Sequence, residues 1–280
     1  MMSTYLTGDT HGSLERIEYF IKRFQIAKTD TIVILGDVGM NYFGTDEEKS
    51  AKKLYNSYGP TILAIQGNHE ERPYNIAGYE TKMWNGGLVY YQREFPNLLF
   101  AKDGEVYNIE GKKCMPIGGA YSVDKWLQIL RCYLYHSMFL DEQLDADEYE
   151  RALLFVQGKI SDKNYKIRDS LTRIYNSFPS GICGWFKEEQ PSDEIKSFVE
   201  AQIKKDNKIN IIFSHTCPSK YTPVEMFLSC INQETVDDST ELWLDKLEER
   251  IDYDKWYCGH WHTNKKIDKM VFLFEDFAKL

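Results

Sequence analysis

The sequence predicts an α/β fold built on a largely parallel β-sheet. Three apolar segments, residues 3–7, 31–35 and 61–65, are typical of strands buried inside a protein. Segments with helical spacing of apolar residues lie between them, at 14–24 and 46–58. This βαβαβ order implies right-handed crossovers, and it places the carboxyl ends of neighbouring strands at one edge of the sheet.

The first strand is followed by GDTHG (residues 8–12), which puts a carboxylate and an imidazole two residues apart. The flanking glycines allow a sharp turn close to an ion, and the spacing aims Asp9 and His11 the same way. Ser13 is the expected N-cap of the next helix. Because Asp-x-His pairs arise by chance, this motif alone predicts either half of a metal site or a capped turn.

Two further predicted strands end in similar motifs. The second strand is followed by GDVG and the third by GNHE. Ligands of open α/β sheets collect outside the carboxyl ends of the strands. The side chains expected to meet at this edge are Asp9, His11, Asp37, Asn68 and His69.

The rest of the chain alternates between β-rich and helical regions. Short β-like runs between 88 and 119 predict a meander that starts a second sheet. Helical spacing dominates from about 126 to 205, with Ser192 capping the last helix. Further strands are predicted at 208–213, 256–258 and 270–274, with a helix near 240–251.

We expect a single domain over residues 1–280 that contains a helical insertion at about 126–180. The acidic run at 141–150 is typical of a solvated helix face. A cap over the active site, a surface elaboration and a dimer contact are all open as roles for the insertion.

Composition argues against polyanionic or membrane partners. The 34 Lys and Arg residues against 43 Asp and Glu give a formal charge of −9, which disfavours a broad basic surface for nucleic acid or anionic lipid. No stretch approaches the roughly 20 apolar residues that span a bilayer, and no basic segment precedes an apolar run at the N-terminus. The six cysteines include no CxxC pair. A cytoplasmic protein with reduced, mostly buried thiols is therefore expected.

Five of the six histidines stand in strand-end motifs, because SHTCP and GHWH follow two late predicted strands. The candidate metal ligands are Asp9, His11, Asp37, Asn68, His215, His260 and His262. This set offers enough donors for two divalent cations, and the two oxygens of Asp37 make it the natural bridge. Its neutral ligands limit the negative charge, so bound cations would stay Lewis-acidic enough to polarise a phosphate.

Taken in order, GDTHG, GDVG, GNHE, SHTCP and GHWH resemble the motifs of the calcineurin-like metallophosphoesterase superfamily. The resemblance extends from residue 8 to residue 262 and implies a four-layer α/β/β/α sandwich of two mixed sheets with a dinuclear centre. Carried over residue by residue, it assigns one metal to Asp9, His11, Asp37 and His262. It assigns the other metal to Asp37, Asn68, His215 and His260.

The same resemblance places His69 just outside the metals, beside the leaving oxygen. The resulting hypothesis is hydrolysis of a phosphate mono- or diester by in-line attack of a hydroxide that bridges two cations. His69 would donate a proton to the departing alkoxide or orient it. Asp, Asn and His ligands suit manganese, iron or zinc alike, so the metals stay open.

Departures from the superfamily pattern bear on the substrate. Protein serine/threonine phosphatases extend the second motif to GDxVDRG and place Arg before GNHE, whereas this chain has GDVGMN and a glutamine there. A phosphorylated small molecule or nucleotide is the expected substrate. Its candidate contacts are Asn68, His69 and Arg72. A surface salt bridge is the alternative for Arg72.

Residues 118–125 (GGAYSVDK) and 189–192 (EQPS) also resemble a little-characterised bacterial and phage subgroup of the superfamily. That subgroup passes quickly between the two segments, whereas here the helical region separates them. Two other functions stay open. One is a nuclease acting on single-stranded nucleic acid, which only scattered lysine pairs support. The other is a metal-binding interaction scaffold that has lost catalysis.

Overall fold

A computed structural model describes residues 2–42, 44–140, 143–163, 166–178, 184–229, 231 and 233–280. Two mixed β-sheets pack face to face with helices on both outer faces, and this confirms the predicted four-layer sandwich. The strands are β1 (Thr4–Thr7), β2 (Thr31–Ile34), β3 (Thr61–Ala64), β4 (Tyr79–Trp84), β5 (Gly87–Gln92), β6 (Leu98–Ala101), β7 (Tyr107–Ile109), β8 (Lys112–Ile117), β9 (Ile211–Ser214), β10 (Lys255–Cys258), β11 (Lys265–Ile267), β12 (Met270–Phe272) and β13 (Phe277–Lys279). The α-helices are α1 (Leu14–Phe24), α2 (Asp46–Ser57), α3 (Lys125–His136), α4 (Ala146–Val156), α5 (Lys166–Asn176), α6 (Asp193–Lys205) and α7 (Ser239–Glu248).

The first sheet has seven strands in the order β13-β1-β2-β3-β6-β5-β4. Strands β1, β2, β3 and β6 are parallel, with Thr7 opposite Ile34 and Ile34 opposite Ala64. The prediction that a meander between 88 and 119 starts the second sheet is wrong for β5 and β6. β6 pairs with β3, and all four of its residues are buried because Leu99 and Ala101 face the second sheet while Leu98 and Phe100 face the helices.

The second sheet has six strands in the order β11-β12-β10-β9-β8-β7. Strands β8, β9, β10 and β12 are parallel, whereas β7 and β11 are antiparallel. Cys258 lies opposite Ser214, and Ser214 lies opposite Ile117. The carboxyl ends of three strands of this sheet therefore meet at one edge, as those of the first sheet do.

Successive residues of the central strands belong to different layers of the core. Ile32 packs with α1 and α2, whereas its neighbour Val33 faces the second sheet. Ile212 packs with α6 and α7, whereas Phe213 faces the first sheet. Because side chains alternate along a strand, a strand that is covered on both faces carries the uninterrupted apolar run seen in the sequence.

Helices α3, α4 and α5 pack around a small core of their own, which includes Ile129, Phe155 and Leu171. Part of the acidic run between them has a structural use, since Asp145 and Glu148 form a capping box at the start of α4. Asp141 and Glu142 lie outside the described residues. The assignment of 126–180 as an insertion into one domain stays a prediction.

Several smaller expectations differ from the structure. Ser13 occupies the N-cap position of α1, but its side chain makes no capping hydrogen bond, whereas Ser192 does cap α6. The strand predicted at 270–274 ends at Phe272. A further strand, β13, pairs antiparallel with β1 and was not predicted.

Within the described part of the chain, no helix combines the length and the apolar character that crossing a membrane requires. The four described cysteines, at positions 114, 132, 217 and 258, are buried as predicted. Cys183 and Cys230 lie outside the described residues.

Candidate metal centre

The predicted ligands follow the carboxyl ends of five strands, β1, β2 and β3 of the first sheet and β9 and β10 of the second. A continuous series of side-chain distances, none longer than 3.9 Å, joins all seven candidate ligands. The two sheets adjoin here, so residues that are distant in the sequence become neighbours.

One group of donors consists of Asp9, His11 and His262. The Nε2 atoms of His11 and His262 are 3.1 Å apart, and His262 Nε2 is 3.2 Å from Asp9 Oδ2. Asp9 is buried, whereas both histidines are exposed. Their ligand atoms all lie within 4.8 Å of one another, so a single cation could bind all three.

A deeper group surrounds His215, which is fully buried. His215 Nε2 lies 3.5 Å from Asp37 Oδ2 and 2.7 Å from Asn68 Oδ1. Asn68 Oδ1 is also 3.2 Å from His260 Nδ1. Asp9 lies between the two groups, because its Oδ1 atom is 3.9 Å from His215 Nδ1.

These spacings fit ligands of a transition-metal ion. Two donor atoms that each bind one ion at about 2.1 Å, at angles of about 90° to 110°, are about 3.0 to 3.4 Å apart. The distances from His262 Nε2 to His11 Nε2 and Asp9 Oδ2, 3.1 and 3.2 Å, fall in this range. Imidazole, carboxylate and carboxamide donors together suit manganese, iron or zinc.

The backbone fixes which nitrogen of His215 faces the other donors. His215 Nδ1 lies 2.8 Å from the carbonyl oxygen of Leu35, which can only accept a hydrogen bond. Nδ1 therefore carries the proton and donates it, which leaves the Nε2 lone pair directed towards Asp37 and Asn68 in the neutral ring. A carbonyl partner of this kind orients metal-binding histidines in general.

The electrostatics of the metal-free protein indicate an excess of negative charge. Burial disfavours a charged His215, but Asp37 and Asp9 outweigh this effect and raise the pKa of His215 to about 9. Burial opposes charge on Asp37 as well, yet the facing His215 holds the pKa of that carboxyl well below its usual range. A proton on His215 thus balances the carboxylates, and a divalent cation would replace it.

His260 stays neutral at physiological pH. Burial, followed by the charge on His215, lowers the pKa of His260 to about 3. A neutral imidazole keeps a lone pair available for a metal ion. The backbone N–H of His260 meanwhile donates to both carboxylate oxygens of Asp9, at 2.9 and 3.0 Å.

Two glycines of the strand-end motifs lie against the ligands. A Cβ atom on Gly67 would be 2.0 Å from Asp37 Oδ1, and one on Gly259 would be 2.2 Å from Asp9 Oδ1. Neither position has room for a side chain. The motifs therefore require glycine so that the loops can close around the carboxylates.

The donors are presented by an unusual backbone conformation. Positive φ angles occur at His11 (44°), Asp37 (46°), His260 (62°) and His262 (47°), four of nine such non-glycine residues in the described ranges. Non-glycine residues adopt this conformation at an energetic cost of about 1 to 3 kcal/mol each. Such a concentration of strained residues is typical of functional sites.

His69 lies at the rim of the ligand cluster. Its backbone N–H donates to Asp37 Oδ1 at 2.9 Å, and its ring centre is 6.1 Å from that of His11. A cavity of about 290 Å³ opens here, lined by His11, Asp37, Gly39, Tyr42 and His69. A group that enters this cavity would meet the imidazole of His69 beside the candidate metal ligands.

Arg72 takes part in a different set of contacts. Its Nη1 atom lies 2.7 Å from Asp103 Oδ2, and its Nε donates to the Glu188 carbonyl at 2.8 Å. Arg72 therefore forms a salt bridge, as the alternative interpretation predicted, but Arg72 and Asp103 are 3% and 7% exposed, so the pair is buried and does not lie on the surface. Arg72 lines a separate cavity near α6. Its role as a substrate contact stays a prediction.

Arg16 on α1 was not among the predicted site residues, yet it holds the backbone beside the first group of ligands. Its guanidinium donates to the backbone carbonyls of Gly8, Asp9 and Phe274, at 2.6 to 2.8 Å. The ring of Phe274 stacks on His262 at a centre distance of 4.3 Å. The sequence offers no signal for this role, because an arginine on an amphipathic helix is most often a surface residue.

The model of the calcineurin-like phosphoesterase family matches residues 2–264. The chain belongs to this family. Calcineurin-like phosphoesterases are metal-dependent hydrolases of phosphate esters, and this confirms the predicted resemblance and enzyme class.

One solved structure that the chain resembles is a phosphopantetheinyl hydrolase from Mycobacterium tuberculosis. The two chains are 13% identical, the alignment covers 97% of this chain and 88% of that one, and the TM-score is 0.37. No curated protein matches the sequence.

Proposed function

We propose that this calcineurin-like phosphoesterase hydrolyses a phosphate mono- or diester at a centre of two divalent metal ions. The observation that carries the proposal is the contact series linking seven donors from five strand ends, including the two buried carboxylates of Asp9 and Asp37. A single cation does not use so many donors.

One ion would be held by Asp9, His11, Asp37 and His262. The second would be held by Asp37, Asn68, His215 and His260. Asp37 is suited to bind both ions, because its Oδ2 atom faces His215 and the residue lines the same cavity as His11. When bound, such cations act as Lewis acids that polarise the phosphate and lower the pKa of water towards neutrality.

The protein's own groups would supply the remaining steps. The phosphate group would bind in the cavity of about 290 Å³ that His11, Asp37 and His69 line. His69 contacts this cavity without belonging to either ligand set, so its imidazole is free to give a proton to the departing oxygen. Tyr42 forms part of the cavity lining and would contact the substrate.

The test compares hydrolysis of a chromogenic phosphomonoester and the matching diester by metal-stripped protein supplied with manganese, nickel or zinc. The proposal predicts turnover that chelator abolishes and that added metal restores. Asp37→Ala and His215→Ala should lose activity and bound metal together.

Absence of turnover with every metal would contradict the proposal and favour the scaffold. Activity on single-stranded nucleic acid that falls steeply with salt would instead favour the nuclease.

A further inference from the structure

The segments at 118–125 and 189–192 meet beside the metal centre, although helices α3, α4 and α5 separate them in the chain. The backbone N–H of Ala120 donates to the carbonyl of Glu189 at 3.0 Å. The backbone N–H of Ser122 donates to Glu189 Oε2 at 3.2 Å. Glu189 therefore joins the segment before the helical region to the segment after it.

Ser122 extends this connection to a candidate metal ligand. Its Oγ atom accepts a hydrogen bond from Asn68 Nδ2 at 2.8 Å. Burial raises the pKa of Glu189 to about 7, and the nearby Ser122 side chain and backbone N–H oppose this rise. Asn68, Ser122 and Glu189 are each at most 2% exposed, so bulk water does not compete for these bonds.

The direction of these bonds selects one orientation of the Asn68 side chain. A serine hydroxyl has one proton, and the Glu189 carboxyl, once ionised, can only accept it. Once the Ser122 proton points to Glu189, Ser122 Oγ offers Asn68 only an acceptor, so Asn68 must present its NH₂ group. Asn68 Oδ1 then faces His215 Nε2 at 2.7 Å and His260 Nδ1 at 3.2 Å.

We propose that Glu189 is a positioning residue for the metal centre, which acts through Ser122 to hold Asn68 with its oxygen towards the metal ions. This inference rests on the proposed function, because it assigns Asn68 Oδ1 as a ligand. A carboxamide nitrogen has no available lone pair, so an inverted Asn68 would turn a hydrogen-bond donor towards the cation. This proposal gives a function to the segments 118–125 and 189–192, which contain none of the candidate metal ligands.

The test uses Ser122→Ala and Glu189→Ala, each with a matched control. Ser170→Ala is the control for Ser122→Ala. It removes a buried serine of the helical region whose hydroxyl donates to a glutamate at 2.8 Å. Asp30→Ala is the control for Glu189→Ala. It removes a buried carboxylate, remote from the site, that accepts two backbone N–H groups. Glu189→Gln keeps an acceptor oxygen and should restore most of the function lost in Glu189→Ala.

The first measurement is calorimetric titration of metal-stripped protein with manganese(II) chloride. Wild-type protein should bind two ions, and Ser122→Ala and Glu189→Ala should each weaken one of the two by about 10- to 100-fold. The second measurement is hydrogen exchange of the Asn68 side-chain amide in metal-free protein, which should be slow in wild type and faster in Ser122→Ala.

The outcomes separate this inference from the proposed function. If Ser122→Ala and Glu189→Ala match their controls in manganese affinity and in Asn68 exchange, the positioning role is overturned while the proposed function stands. If wild-type protein binds no manganese although Ser122→Ala still accelerates Asn68 exchange, the proposed function fails and the orientation of Asn68 by Ser122 is upheld.

Discussion

Replacing Glu241 with glutamine should stabilise the protein, and the stabilisation should increase as the pH rises from acidic to neutral values. Glu241 lies on α7, is 6% exposed and accepts a hydrogen bond from Thr216 Oγ1 at 2.7 Å. Its Oε2 atom has no hydrogen-bond partner among the described residues. Burial raises the pKa of Glu241 from its ordinary value of 4.5 to about 7.

The sign and size of the effect follow from proton linkage. Between pH 4.5 and 7 the native state binds more protons than the unfolded state, so the stability of the native state falls as pH rises. At about 1.4 kcal/mol per pH unit, ionisation of Glu241 costs about 3 kcal/mol once the pH exceeds 7. About 2 kcal/mol of this loss falls between pH 5.5 and 8.5.

Urea denaturation of metal-free protein at pH 5.5 and 8.5 measures this difference. Glu241→Gln keeps the acceptor for Thr216, so its advantage over wild type should grow by about 2 kcal/mol across this range. The exposed Glu47→Gln is the control and should show no such growth. An advantage of equal size at both pH values, or a loss of stability at pH 8.5, would show that ionisation of Glu241 does not destabilise the protein.

Three further predictions concern the site. His69→Ala should lower turnover by about 10²- to 10⁴-fold while its metal content stays near that of wild type, whereas Asp37→Ala should lose metal. Equal loss of metal in the two variants would contradict these separate roles. Gly67→Ala should reduce manganese affinity in a calorimetric titration, because its Cβ would lie 2.0 Å from Asp37 Oδ1, and unchanged affinity would show that the loop can relax. Arg72→Ala should lower the free energy of unfolding by about 3 to 5 kcal/mol, because it leaves the buried Asp103 carboxylate without its partner. A raised KM with unchanged stability would instead support the role of Arg72 as a substrate contact.

The site was predictable from the sequence because its residues follow strand ends. A parallel sheet gathers the carboxyl ends of its strands at one edge, so a motif after β1 and a motif after β3 must meet there. The second sheet obeys the same rule, which brings His215 and His260 to the same edge. Five histidines spread over 250 residues could therefore be assigned to one pocket.

Sheet membership could not be predicted in the same way. The apolar run of β6 fits any buried strand, and only its pairing with β3 assigns it to the first sheet. Strand β13 has three residues and none of them is buried, so it lacks the pattern that identifies β1 or β2. Edge strands of this kind depend on pairing rather than on burial.

Supporting residues were missed for a related physical reason. Arg16 and Ser122 act by hydrogen bonds to groups that are near only in the folded chain, and neither residue type at its position signals such a partner. Arg72 was predicted as a substrate contact because it follows the third motif. Its guanidinium pairs instead with Asp103, which is 31 residues away in the sequence. Sequence spacing locates a ligand on a loop, whereas the partner of a long side chain depends on tertiary packing.

Two cations should bind among the seven donors, and anomalous X-ray scattering from crystals soaked in manganese would locate each of them. We expect two anomalous peaks, one beside Asp9, His11 and His262 and the other beside Asn68, His215 and His260, with Asp37 in contact with both. A single peak, or manganese bound away from these side chains, would contradict it.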